Sequence, residues 1–466
     1  MGDWKPIPLS DKLFLNVKES VLTKGSAALE NAYQNEAGGI SRFHGLTSFS
    51  TLAGKAPVYL HEWHGDLIAV SGSRTWRIDQ NGVNYEATGV EVSGGHRVIF
   101  DRTTKELIMA AGGPIVRLAA STTELLSPDA PLSTHVGFVG GYALAIEVNT
   151  GLMFQSGAND FRTWDPIDVF AADSKPDFLN ALLVTPYQEI LLAGIDSIEQ
   201  YEKLPGSPTI PFARRWSVGE GVYAPYTFVF ADNAAWCVNK NREFVRASGQ
   251  ASRPMSDDLG GNLLQPADDW SDAWTATMII GGQKFILLQL PNATNPHSTK
   301  GITILYDYRQ SKWFSLYGWD SSLNRPARWP GWSYYQLWGR HFVGGEGIVY
   351  ELKSSVYENA GEVQRVLWRS GHLDFGEVRI DNLAFRLKRG LSNPNTARKV
   401  ISVRVLLGGR NWTQWRRQDL GRYGEGEMWV DFGPMGCAST FQIEVDMTDA
   451  EEFELTKGKV LLTPLG

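Results

Sequence analysis

The sequence predicts an all-β fold: a β-propeller of seven blades, with six as the alternative count, followed by a carboxy-terminal antiparallel β-sandwich. Three observations carry this prediction. Short apolar runs with strand patterning recur along the 466 residues, separated by tight turns. The 48 Gly and 22 Pro residues are spread along the chain rather than clustered, as many short strands require. Helix-period patterning is poor, with one plausible stretch around residues 18–31.

The repeating unit is an apolar run, a tight turn, a second apolar run, another turn and a short run ending on an aromatic or charged residue. It appears at Val58–Asp79, Arg97–Leu118, His135–Phe154, Ala181–Tyr201 and Tyr226–Arg246, then at Trp274–Tyr306 and Tyr335–Leu352. The inner turns fall near Asp66, Glu106, Gly141, Glu189, Asp232, Gly282 and Gly339, at steps of 35 to 57 residues. Propeller blades repeat at roughly 40–50 residues. The turns are too short for parallel crossovers, so each unit is a small antiparallel sheet. Stacking such sheets around an axis buries both apolar faces, and closing the ring leaves only short edges. Two consecutive β-sandwiches are the rival architecture.

The repeat stops near Gln364. Strands at other spacings follow, at Asn382–Arg389, Val400–Leu407, Trp412–Gln418, Met428–Asp431, Thr440–Met447 and Lys459–Leu462. The expected division is an amino-terminal arm leading into the propeller at 1–50, the propeller at 51–365 and the sandwich at 366–466.

Composition removes several function classes. Hydrophobic residues are 43% of the chain, with 17 Trp, 16 Tyr and 21 Phe, which is ample for packed cores. Cys237 and Cys437 alone make neither a disulfide framework nor a Cys-based zinc site. The opening residues lack a charged segment followed by an apolar run, so no secretory signal is expected. No stretch approaches the roughly 18 apolar residues of a membrane span. Net charge is −7, against a general nucleic-acid binder, but it is unevenly placed. Residues 366–422 carry 12 Lys+Arg against 4 Asp+Glu, a net of +8, and residues 423–466 carry 2 against 9, a net of −7.

Motifs for chemistry are sparse. The chain has no nucleophile elbow, phosphate loop or dinucleotide fingerprint; Gly344–Gly347 is glycine-rich but lies between two strands and reads as a turn. His61 and His64 are three apart, hence on opposite faces of a strand, with no further ligand nearby; aromatic packing beside a turn is expected. Asp257, Asp258, Asp268 and Asp269 are the candidate catalytic carboxylates for a carbohydrate-active propeller, a tail-associated depolymerase, which is the alternative function. As doubled aspartates in glycine-rich segments they read as solvated loop. Ser156–Trp164 has the flavour of the turn motif of sialidase blades, where it is architectural. Arg410–Arg422 alternates basic and aromatic side chains. Arg410, Trp412, Trp415, Arg416, Arg417 and Arg422 form a candidate patch for ring contacts, a protein partner or DNA; the plain alternative is an exposed hairpin with Trp inward and Arg outward.

Around Met153 the residues resemble a known family. Ser156–Trp164, Ala171–Asp177 and Ser197–Tyr201, where the family has a T-I-E-x-aromatic strand, followed by Pro211-Phe212, look like the propeller core of short-tailed phage tail hubs. Ala247–Met255 is similar to a G-x-x-x-P turn, Ile304–Trp313 to a YD…W strand pair, and Asn31–Phe49 to the start of the family's propeller, with His44 in place of the usual Pro. The resemblance runs from about Asn31 to Leu373. It points to the packaged-DNA stabilisation, or tail hub, proteins of P22-like podoviruses.

That resemblance implies a non-enzymatic virion structural protein of the tail, made in the host cytoplasm. It implies a homo-oligomeric ring, typically of six copies, below the portal-adaptor. Such a ring extends the DNA channel, helps retain packaged DNA, and anchors tailspikes or fibres and the tail needle or plug. No cofactor or metal is implied. The partners implied are further copies of the chain, the adaptor ring, tailspike or fibre, needle, and genomic DNA in the channel.

Overall fold

A computed structural model describes residues 2–9, 28–171, 175, 177–204, 206, 211–249, 251–255, 259–388, 399–420 and 426–465. Among the described residues regular structure is almost entirely strand, with one short α-helix, Leu259–Leu264, and one 3-10 turn at Pro225–Thr227. Of the helical stretch expected at 18–31, residues 28–30 form a strand and 18–27 lie outside the described residues.

The inner turns fall where the sequence places them. His64-Gly65, Gly140-Gly141, Asp232-Asn233, Gly281-Gly282 and Trp338-Gly339 are two-residue hairpin turns with positive φ at both positions. This geometry matches the twist of the strands it joins. The turns near Glu106 and Glu189 are longer and are held by the hydroxyls of Thr103 and Thr185.

Six propeller sheets stand alone, matching the alternative count. They are built on Val58–Trp63 to Asn84–Glu86, Ile99–Arg102 to Thr122–Leu125, Ser133–Val139 to Asp160–Ala171, Ala181–Val184 to Phe212–Val218, Val229–Ala231 to Ala251–Pro254, and Ser333–Leu337 to Ile348–Lys353. The last takes its outer strand from the other end of the chain: Gly45–Thr51 pairs antiparallel with Ile348–Lys353. Among the described residues a seventh discrete propeller sheet is not formed. The unit at Trp274–Ile280, Gln283–Thr294, Lys300–Asp307 and Lys312–Ser315 is the edge of a sixteen-stranded sheet. Ala28–Glu30 runs beside both Lys312–Ser315 and Val366–Arg369, so this unit continues into the carboxy-terminal strands.

Strand composition follows position in the stack. Second strands such as Leu107–Ala110 and Ile190–Ala193 are apolar and buried at every residue, because neighbouring sheets cover both faces. Outer strands such as Asn84–Glu86 and Ala251–Pro254 are polar and largely exposed. Separate apolar clusters fill the gaps between sheets. Trp63, Ile68 and Met109 join the first to the second, Ile108, Phe161 and Trp164 the second to the third, and Leu60, Trp76 and Phe342 the last to the first.

Carboxy-terminal strands Leu373–Leu387, Val400–Leu407, Gly436–Met447 and Glu454–Pro464 pair antiparallel. Asp3–Ile7 pairs along Glu454–Pro464, and Ile40–Arg42 pairs with the start of that strand. Their core holds Trp368, Phe385, Phe432 and Phe441 and is continuous with Trp274, Phe285 and Trp329 of the propeller. Buried Arg42 ties the parts together: its guanidinium donates to the carbonyls of Asp449 (2.6 Å) and Glu451 (2.5 Å) and also to that of Gln364.

Candidate interaction surfaces

The basic–aromatic hairpin forms only in part as the sequence suggests. Val400–Leu407 pairs with Asn411–Trp412 and with Arg416–Asp419. Trp412 and Trp415 are half-buried, and Arg416 and Arg417 are exposed. Arg416 donates to the Pro434 carbonyl at 3.3 Å, and the Arg410 amide donates to Leu407 at 3.1 Å. Arg422 lies outside the described residues. What the two indoles grip is Arg404, whose guanidinium lies 4.4 Å from each ring. Arg404 Nε donates to Glu444 at 2.8 Å, and Arg369 Nε donates to the other Glu444 oxygen at 2.6 Å. Glu444 is wholly buried. Beside it Arg365 pairs with Asp446.

These pairs bear on the uneven charge of the carboxy-terminal third. Arg369–Glu444, Arg404–Glu444, Arg386–Glu427 and Lys388 with Glu452 and Glu454 all join the basic stretch to the acidic one within one chain. A good part of the segregated charge is therefore neutralised internally. Sequence reading missed Arg404 and Glu444. The available signal was a charged residue inside each of two strongly alternating strands, VISVRVLL and TFQIEVDM.

The other candidates are structural. His61 stacks on Phe100 (5.4 Å) and meets Tyr335 at a tilt (5.2 Å), and burial lowers its pKa. His64 occupies the adjoining turn. Asp268 accepts the amide and hydroxyl of Thr294, each at 2.7 Å, and Asp269 accepts the hydroxyl of Ser271 at 2.6 Å. Both are loop braces on the surface. Asp257 and Asp258 lie outside the described residues. In Ser156–Trp164, Asp160 accepts the Thr163 hydroxyl at 2.7 Å and the Trp164 indole donates to Phe161 at 2.9 Å, which closes an architectural turn. Cys237 and Cys437 are both free thiols. Among the described residues no three His, Cys, Asp or Glu side chains group as metal ligands, and no helix is long and apolar enough to cross a membrane.

The propeller axis holds a cavity of about 350 Å³. Its walls come from the inner strands of the other ring sheets, from the 3-10 turn that leads into the fifth sheet and from the Trp274 unit, through Tyr59, Phe100, His135, Val184, Tyr226, Trp274 and Tyr334. Arg97 is its one guanidinium, and Asp101 stands nearby with a pKa raised by burial to about 6. Sequence reading passed over Arg97, which sits in a plain strand context.

Among solved structures, the chain is similar to the extracellular domain of the putative one-component system BT4673 of B. thetaiotaomicron. Identity is 10%, the TM-score is 0.45, and coverage is 75% of this chain and 44% of that one. It is also similar to virginiamycin B lyase of Staphylococcus aureus (10% identity, TM-score 0.44, 66% of this chain and 98% of that). YCF48 of Cyanidioschyzon merolae is comparable (9%, TM-score 0.42, 66% and 98%). The chain thus spans less than half of the BT4673 domain. No curated protein matches the sequence. The phage stabilisation family described as "Bacteriophage P22 Gp10, beta-propeller" matches residues 27–357. With its propeller and most of its length covered by that match, the chain belongs to the family of the bacteriophage P22 Gp10 β-propeller.

Proposed function

We propose that this phage structural protein is the tail hub, or nozzle, of a short-tailed virion. In this reading several copies, six in the simplest case, form a ring below the portal-adaptor. The ring extends the DNA channel, helps retain packaged DNA, and anchors tailspikes or fibres and the tail plug. The observation that carries it is the family match over residues 27–357. A closed propeller is a rigid body, suited to holding several partners at fixed angles. Exposed apolar side chains on the third sheet and in the loops that follow it support surfaces covered by protein partners: Ile167 is 81% exposed, with Phe178 and Tyr187 also open to solvent. The same reading makes the chain a non-enzyme.

The test is electron microscopy of the purified protein, with mass spectrometry of purified virions. The expected result is a closed ring in vitro and the protein in the tail at a fixed copy number. A lasting monomer absent from virions overturns the proposal.

A further inference from the structure

We propose that a cavity between the fourth and fifth sheets is a binding site for a neutral sugar ring. This inference does not rest on the tail-hub reading. Leu191, Gln200 and Trp216 lie opposite one another on three neighbouring strands, so their side chains share the face turned to the fifth sheet. Elsewhere that gap is filled by larger side chains such as Ile198 and Val245. Here the fifth sheet presents Ala235 and Ala247, a cross-strand pair. Their short side chains leave a cavity of about 350 Å³, within the range of small-ligand sites.

Polar atoms on its wall lack partners among the described residues. Gln200 is 4% exposed, yet its side-chain amide makes no hydrogen bond there, and both amide atoms keep accessible surface. The indole N–H of half-buried Trp216 is in the same position. The carboxylate of half-buried Glu189 has neither a hydrogen-bond nor an ion-pair partner there. Buried amides and indoles normally find partners. An amide donates and accepts, an indole only donates, and a carboxylate only accepts. A ligand that satisfies all three must donate and accept from neighbouring atoms, as the hydroxyls of a sugar do. An ammonium group only donates, so it leaves the amide and indole N–H groups unmatched. Glu189 opposes an anion, and Arg215 on the rim is already paired with Glu202 at 3.0 Å. Tyr187 at the mouth is 64% exposed and meets Phe230 edge-on at 6.0 Å. Its ring offers an apolar surface to the C–H face of a pyranose. The site binds without cleaving, because glycoside hydrolysis needs two carboxylates and Glu189 is the one on these walls among the described residues.

Saturation-transfer NMR of the full chain tests this with the methyl pyranosides of glucose, galactose, mannose, rhamnose and N-acetylglucosamine, and with tetramethylammonium and acetate beside them. At least one pyranoside is expected to bind, and neither ion. Gln200→Leu, which keeps the side chain's size, is expected to weaken that binding about tenfold. Tyr187→Ala, on the surface, is expected to weaken it about threefold. A chain that takes none of the five sugars, an ion bound as tightly as a sugar, or sugar affinity unchanged in Gln200→Leu overturns the proposal. Should Gln200→Leu not fold, Tyr187→Ala decides: weakened sugar binding supports the site, and unchanged binding overturns it.

Discussion

The ring and the carboxy-terminal strands are both antiparallel β-structure, yet they are held together by different physics. In the ring, adjacent sheets meet mainly through apolar side chains, as in the cluster of Ala235, Cys237, Leu191 and Ile198 between the fourth and fifth sheets, with a few polar links such as Phe138 to Asp101 and Arg102 to Glu62 beside them. The carboxy-terminal strands share one hydrogen-bonded sheet with the Trp274 unit and add buried ion pairs, Arg369 and Arg404 on Glu444 and Arg365 on Asp446. Apolar stacking tolerates many sequences and is non-directional, so a repeat can be copied around an axis. Ion pairs inside a sheet demand particular partners and fix one register.

The sharpest way to break this contrast is Glu444→Gln. Two half-buried guanidinium groups then lose their wholly buried carboxylate, and the expected cost is about 3 kcal/mol, the lower end of the penalty for breaking a buried pair. Urea unfolding followed by intrinsic fluorescence reads it. The loss is expected in the transition that melts the carboxy-terminal strands. An unchanged midpoint would mean that apolar contacts hold this region as they hold the ring.

The second way acts on the ring. Burial holds the His135 imidazole down to about 3, aided by His96 nearby. A histidine depressed below its unfolded value near 6.5 contributes stability that is complete above pH 6.5 and is lost as pH falls toward the folded value. At pH 5 the expected loss relative to pH 8 is roughly 2 kcal/mol, at about 1.4 kcal/mol per pH unit. His44, lowered by burial to about 4, adds a loss of the same sign. His135→Phe keeps the ring face on Tyr226 and removes the titration. The difference in unfolding free energy between pH 8 and pH 5 is expected to shrink by that amount, and an undiminished difference would place the acid sensitivity elsewhere.

The contrast also explains what could be read from the sequence. Hairpin turns are local, and His64-Gly65, Gly140-Gly141 and Trp338-Gly339 carry their signal in two residues. The apolar central strands are legible for the same reason. What was not legible depends on pairing across long separations. Gly45–Thr51 closes the last sheet some 300 residues away, and Ala28–Glu30 fuses the Trp274 unit to the carboxy-terminal strands. Both segments read as an arm because neither forms a repeat by itself. Counting discrete sheets failed at this point: the repeat unit is present at Trp274–Tyr306, but its outer edge continues into other strands. In the candidate patch, composition drew the eye to Trp412, Trp415, Arg416 and Arg417. The residue those indoles serve is Arg404, and only the fold brings it there.

The smallest expected effect tests that last point. Arg416 and Arg417 project from the hairpin into solvent, so the double change to Ala is expected to alter stability by no more than about 0.5 kcal/mol. Trp412→Ala is expected to cost more, about 1–2 kcal/mol. Arg369 (5.4 Å) and Arg404 (4.4 Å) both lie against that ring, and the Glu444 cluster would lose its cover. Urea midpoints of the two variants give the comparison directly. Duplex DNA binding across a salt series separates a structural hairpin from a DNA contact. Two lost phosphate contacts would lower the slope of log affinity against log salt by about 1.8. A slope unchanged in the double variant leaves Trp412 and Trp415 as the hairpin's working residues, with the clamp on Arg404 as their task.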